Sequence, residues 1–206
     1  LMFRFGIFGI PVTVQWWFWL TAILLNLGLL NSQMQNAHVL LIAWIVVVFV
    51  SVLWHELGHA LAFRYYGFRP SIVLQAFGGY ATAPGFQSHT PKQRLQDIVI
   101  TLAGPGAGFL LWGVLFGLQI LGVFPQVSYM DLFDPSKPGF LYALLYWGLF
   151  ANLWWSILNL VPIFPLDGGR ILFAIMGPSR NRQALMISIG FGIGLVIFCL
   201  LYTSDA

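Results

Sequence analysis

His55, Glu56 and His59 spell H-E-x-x-H, and Glu56 is the one glutamate in a chain of 206 residues. On an α-helix, positions i and i+4 share a face, so the two imidazoles stand one turn apart, where two ligands of one metal ion must stand. Two neutral imidazoles at that spacing favour zinc. Glu56, next to the first ligand, can reach a water held at the metal and act as a base. A chance match on a structural helix is the plain alternative. It would require the single Glu and two of the four His to fall together where each is costly unless satisfied. His38 and His89 have no such spacing and read as loop or interface residues.

The surroundings of the motif are apolar. Residues 39 to 54, VLLIAWIVVVFVSVLW, carry no charge. Across the chain 59% of residues are hydrophobic and 7% are charged, against about 25% in soluble domains. The mean hydropathy is +0.85. These values exclude an ordinary soluble enzyme and predict a polytopic membrane protein. A formal net charge of +3 points to no nucleic-acid partner. The single cysteine, Cys199, rules out an intrachain disulfide and reads as a small apolar helix residue.

The apolar runs predict one domain over 1–206, with spans at about 12–30, 39–66, 95–122, 140–161 and 184–201. The stretch 171–176 is too short to cross a bilayer. Eight of the nine basic residues, Arg4, Arg64, Arg69, Lys92, Arg94, Arg170, Arg180 and Arg182, then fall on one side, and only Lys137 on the other. The positive-inside bias predicts a cytoplasmic N-terminus in the cell membrane. It brings His59 and Asp167 to the cytoplasmic ends of their helices. A zinc site with two histidines needs a third protein ligand and an open position, and Asp167 is the candidate. Taken alone, Asp167 reads equally well as a cap for the helix beginning at Gly168.

Three segments together, HELGHALAFRYYG, AGPGAG and NLVPIFPLDGGR, resemble the site-2 protease family of intramembrane zinc metalloproteases, in particular its compact bacterial and archaeal branch that includes the sporulation-factor-processing enzymes. The motifs occur in the family's order and spacing over roughly residues 1 to 200. The resemblance implies that His55, His59 and Asp167 bind one zinc ion and that Glu56 is the general base. It implies transmembrane protein substrates, such as membrane-tethered regulators or remnant signal peptides. Asn159 matches the family's asparagine before L-D-G and would lie near the scissile carbonyl. A hydrogen bond to the developing oxyanion is one role for it, and an interhelical hydrogen bond is the other. Glycines 104, 106 and 108 read as small residues that let the third span pack closely against the ligand-bearing spans.

The expected fold is all-α and polytopic, with five to six transmembrane helices, a three-helix catalytic core and a small membrane-associated β-hairpin. The hairpin is expected at 71–83, broken at Gly78-Gly79. An exposed edge along 72–76 would hold an unwound substrate segment through backbone hydrogen bonds, and proline there would reduce cleavage with zinc content unchanged. The alternative is an ordinary loop. Residues 199–206, CLLYTSDA, resemble translated sequencing adapter, and residue 1 is Leu. The expectation is a fragment truncated at both ends, with 199–206 non-native and a sixth span or C-terminal domain lost. A rival class is a non-catalytic metal-binding scaffold or transporter. Transport would call for polar residues along several spans, whereas here they cluster at one point.

Overall fold

The structure, a computed structural model, describes residues 2–28, 36–76, 78–86, 90–134, 136–137 and 139–204. His89 lies outside the described residues, and His38 is in the first turn of a helix. In chain order the elements are β1 (Met2–Ile7), β2 (Ile10–Gln15), α1 (Trp16–Leu24), α2 (Ala37–Tyr65), β3 (Ser71–Gln75) and β4 (Gly78–Thr82). Then come α3 (Pro91–Ile120), α4 (Gly139–Asn159), α5 (Asp167–Met176) and α6 (Asn181–Ser204), with short 3-10 turns before α4 and α6. The molecule is a helical membrane protein with one small sheet.

Among the described residues four helices are long and apolar enough to cross a membrane: α2, α3, α4 and the segment Pro178–Leu201 that includes most of α6. The expected count was five to six. The first expected span accounts for part of the difference, because residues 12–15 are strand rather than helix. In β2, Ile10, Val12 and Val14 are buried and their neighbours are not, the period-2 pattern of a half-buried strand. β2 pairs antiparallel with β1 through a two-residue turn at Phe8-Gly9. Both turn residues have positive φ, as a type I′ turn demands. α1 then runs antiparallel along α2. Phe18 packs near Phe49, and further on the Trp44 indole donates to the Ala22 carbonyl at 2.8 Å.

The hairpin at 71–83 forms, and it is half of a larger sheet. The order is β1-β2-β3-β4, with β2 and β3 parallel and the other pairs antiparallel. This corrects the expected edge. Residues 72–76 lie in or beside β3, an inner strand paired on both sides, and the free edge nearest the helices belongs to β4. The buried face of the sheet (Val12, Val14, Ile72, Leu74) packs on Leu53, Leu57, Ala60 and Phe63 of α2. The sheet is thus fixed to the turns that carry H-E-x-x-H.

α3 begins with a capping box: Thr90 accepts from the Gln93 backbone N–H, and the Gln93 side chain accepts from the Thr90 N–H. It crosses α2 at very close range. A Cβ on Gly58 would lie 2.2 Å from the Ala103 carbonyl oxygen, and one on Gly104 2.2 Å from His59 Nε2. Gly108 meets Ser156 of α4 in the same way, whereas Gly106 faces open space, so only two of the three glycines pack as expected. α5, at 10 residues, is about 15 Å long and cannot span a bilayer.

Candidate active site

α2 presents His55, Glu56 and His59 on its C-terminal half, all buried. Asp167 opens α5, and its carboxylate turns to the two histidines. His55 Nε2 lies 3.0 Å from Asp167 Oδ2, His59 Nε2 lies 3.2 Å from the same oxygen, and the two Nε2 atoms are 3.2 Å apart. Leu166, not Asp167, is the N-cap residue of α5, so the capping alternative for Asp167 falls away. The chain reaches this position by folding tightly after α4. A Cβ on Gly168 would meet the Leu160 carbonyl oxygen at 2.1 Å, and one on Gly169 the Phe164 nitrogen at 2.5 Å. Ser188 of α6 steadies the connection by accepting from the Phe164 N–H at 2.7 Å.

The second nitrogen of His59 decides what the triangle can hold. His59 Nδ1 is 2.8 Å from the Ile100 carbonyl oxygen. A carbonyl only accepts, so Nδ1 carries the hydrogen and the neutral ring turns its Nε2 lone pair to the centre. That lone pair faces a carboxylate oxygen, an acceptor against an acceptor, which a shared cation resolves. Pro105, inside α3, has no N–H to donate to the Thr101 carbonyl, the neighbour of Ile100.

The three donor atoms suit one zinc ion. Tetrahedral zinc with ligand distances of about 2.0–2.1 Å has ligand–ligand edges of about 3.3 Å, close to the 3.0–3.2 Å seen here. His55, His59 and Asp167 are the only group of that kind among the described residues. Arg170 extends the set outward. Its guanidinium lies 3.8 Å from Asp167 Oδ1 and 3.6 Å from Asp97 Oδ1 of α3.

All three donors, with Glu56, Asn159 and Arg170, line a cavity of about 750 Å³. Glu56 Oε2 is buried there and has no hydrogen-bond partner among the described residues. Gly78, Gly79 and Tyr80 of β4 form another part of the wall. A Cβ on Gly79 would lie 2.9 Å from Glu56 Cγ, so the strand runs directly over the carboxylate. Asn159 also faces the cavity, but its Nδ2 donates to the Trp155 carbonyl of its own helix at 2.9 Å. This is neither of the two roles weighed for it from sequence.

The sequence model of peptidase family M50 matches residues 43–133 and 135–201. The chain belongs to that family. A zinc metalloprotease of Methanocaldococcus jannaschii is 32% identical over 200 residues, covering 96% of this chain and 52% of the relative. Stage IV sporulation protein FB of Bacillus subtilis is 28% identical over 181 residues, covering 86% of this chain and 54% of that protein. Among solved structures, a site-2 protease from Methanocaldococcus jannaschii superposes with a TM-score of 0.61 at 28% identity, covering 98% of this chain and 84% of that one. The chain spans about half the length of the curated relatives it matches. An M50 protein whose described residues include four helices long and apolar enough to cross a membrane is a multi-pass membrane protein.

Several members of the site carry no mark in their residue type. The Ile100 carbonyl is backbone, and Gly79 matters for the side chain it lacks. A signal for Gly104 was present in the Gly-Pro-Gly run of a membrane span. The Arg170–Asp167 approach, at i,i+3, could have been read from L-D-G-G-R.

Proposed function

We propose that the chain is an intramembrane zinc metalloendopeptidase that hydrolyses peptide bonds of membrane-spanning proteins, and that residues 1–206 act as one metalloprotease domain. The observation that carries this reading is the convergence of His55, His59 and Asp167 in a cavity that β4 also lines, with the Glu56 side chain against Gly79 of that strand. The names of the relatives support the same activity.

His55, His59 and Asp167 are the ligands in this reading. A zinc ion bound by these three residues would supply Lewis-acid polarisation of the scissile carbonyl and a water of pKa about 7. Glu56 takes the proton of the attacking water on Oε2 and delivers it to the leaving amine nitrogen. Asn159 sits on the cavity wall, where its amide would turn from the Trp155 carbonyl to the oxyanion. Arg170, 3.8 Å from Asp167 Oδ1, would attract the carboxylate oxygen that does not face the histidines.

A substrate helix hides its peptide bonds and must unwind before cleavage. The edge of β4 offers backbone partners to the unwound segment directly over Glu56. Orientation follows from charge. Arg64, at the sheet end of α2, donates to the Phe8 carbonyl, which ties Arg4 and the N-terminal hairpin to the side that holds Arg69, Lys92, Arg94 and Arg170. That side is the cytoplasmic one in the positive-inside pattern of a cell membrane, and water would reach the site from there.

The test is cleavage of a transmembrane reporter by purified protein of measured zinc content, wild type beside Glu56→Gln. The expected result is a loss of about 10²–10⁴-fold in rate with one zinc retained. Equal cleavage by both proteins would remove Glu56 from the chemistry.

A further inference from the structure

A second cavity of about 420 Å³ lies between α1, α2 and α4. It adjoins the catalytic cavity, since Leu25, Gly78, Trp155 and Leu158 line both. Its walls are mostly carbon, from Phe18, Ala22, Val48, Val52 and Trp154 among others. The hydroxyls and the Trp44 indole in that wall are already engaged. Thr21 donates to backbone carbonyls at 3.0 Å, Trp44 donates to Ala22, and Ser51 Oγ accepts from Asn152 at 2.9 Å. A polar guest would find little to bind.

The two cavities meet at the start of β4. Gly79 lies over Glu56, and its neighbour Gly78 abuts the Trp155 ring, where an added Cβ would be 3.3 Å from Cζ2. A strand advances about 3.3 Å per residue and turns alternate side chains to opposite faces. A segment paired along β4 with its scissile bond beside Glu56 therefore passes the second cavity within about two residues of that bond. Unwinding takes an apolar residue out of lipid into a wall of His, Glu, Asp, Asn and Arg. The carbon-lined cavity gives that residue an apolar site again.

We propose that this cavity is a specificity pocket, taking a large apolar or aromatic side chain of the substrate within two residues of the cleaved bond; this rests on the proteolytic reading above.

The test uses reporters that vary one residue at a time, as Ala, Leu, Phe or Asn, over the three positions on each side of the cleavage site. They are cleaved by wild type, Ala22→Leu and Ala151→Phe, with zinc content measured to confirm folding. The expected wild-type result is a preference of about tenfold or more for Leu or Phe over Ala and Asn at one position. Both substitutions narrow the cavity and should drive the Leu-to-Ala ratio at that position toward one. Cleavage with a flat wild-type profile, or a preference that survives in both zinc-loaded variants, would overturn the pocket and leave the protease standing. No cleavage of any reporter by zinc-loaded wild type would overturn the proteolytic reading and the pocket with it.

Discussion

Asn152 of α4 donates through Nδ2 to Ser51 Oγ of α2 at 2.9 Å, and both residues are buried. Ser51 precedes the ligand His55 by one helical turn, and α4 leads directly into the loop that delivers Asp167. The bond therefore ties together the two helices on which the three donor atoms depend. Interhelical hydrogen bonds in membranes average about 0.6 kcal/mol and reach about 1.7. Asn152→Ala and Ser51→Ala should each lower thermal stability and zinc affinity. The double variant should lose less than the sum, with a coupling in that range. Strict additivity in a chelator-competition titration would show that the two residues act independently.

Gly104→Ala puts a methyl group where His59 Nε2 now lies, 2.2 Å from the new carbon. The ring cannot yield without leaving its hydrogen bond to Ile100. Zinc stoichiometry by elemental analysis should fall well below one per chain. Gly106→Ala, on the open side of the same helix, is the control. It should keep full zinc content and gain slightly in stability, by up to about 1 kcal/mol, because alanine is the better helix former.

Much of this centre is legible in the chain, and the reason is chemical. Charge and imidazole are so costly in an apolar span that His55, Glu56, His59 and Asp167 stand out without any structure. The sheet was harder to see. Residues 10–15 alternate with period two, yet they run straight into the tryptophan-rich α1, and the apolar total of both reads as one span. The parallel pairing of β2 with β3 joins residues about sixty positions apart across α1 and α2, and no local signal predicts it. Asn152 and Ser51 are separated by 101 positions, and each alone is an ordinary polar residue in a helix.

Metal removal should destabilise the fold. Without a metal ion the His59 Nε2 and the Asp167 carboxylate, 3.2 Å apart, can be bridged only by a proton. A ligand present at 100 to 1,000 times its Kd contributes about 2.7–4.1 kcal/mol to folding. A strong chelator should therefore lower the Tm of the purified protein in detergent, and zinc should restore it where magnesium does not. In His59→Ala the chelator shift should shrink or vanish. An unchanged wild-type Tm after verified zinc loss would mean that the triangle does not depend on the metal.

Gly79→Ala separates the base from the ligands. The new Cβ would lie 2.9 Å from Glu56 Cγ and 2.8 Å from Leu74 Cδ2. Leu74 is fully buried in the sheet core, so the Glu56 side chain is the group free to move. The three heavy atoms nearest the methyl group belong to Leu74 and Glu56 rather than to His55, His59 or Asp167, and zinc content should stay at one per chain. Displacing a reacting group by about 1 Å costs on the order of 10² in rate. The expected phenotype is thus the opposite of Gly104→Ala: zinc retained, with reporter cleavage down by about that factor. Loss of zinc in Gly79→Ala would instead mean that β4 supports the metal ligands themselves, and full activity would mean that the strand stands further from Glu56 than the structure has it.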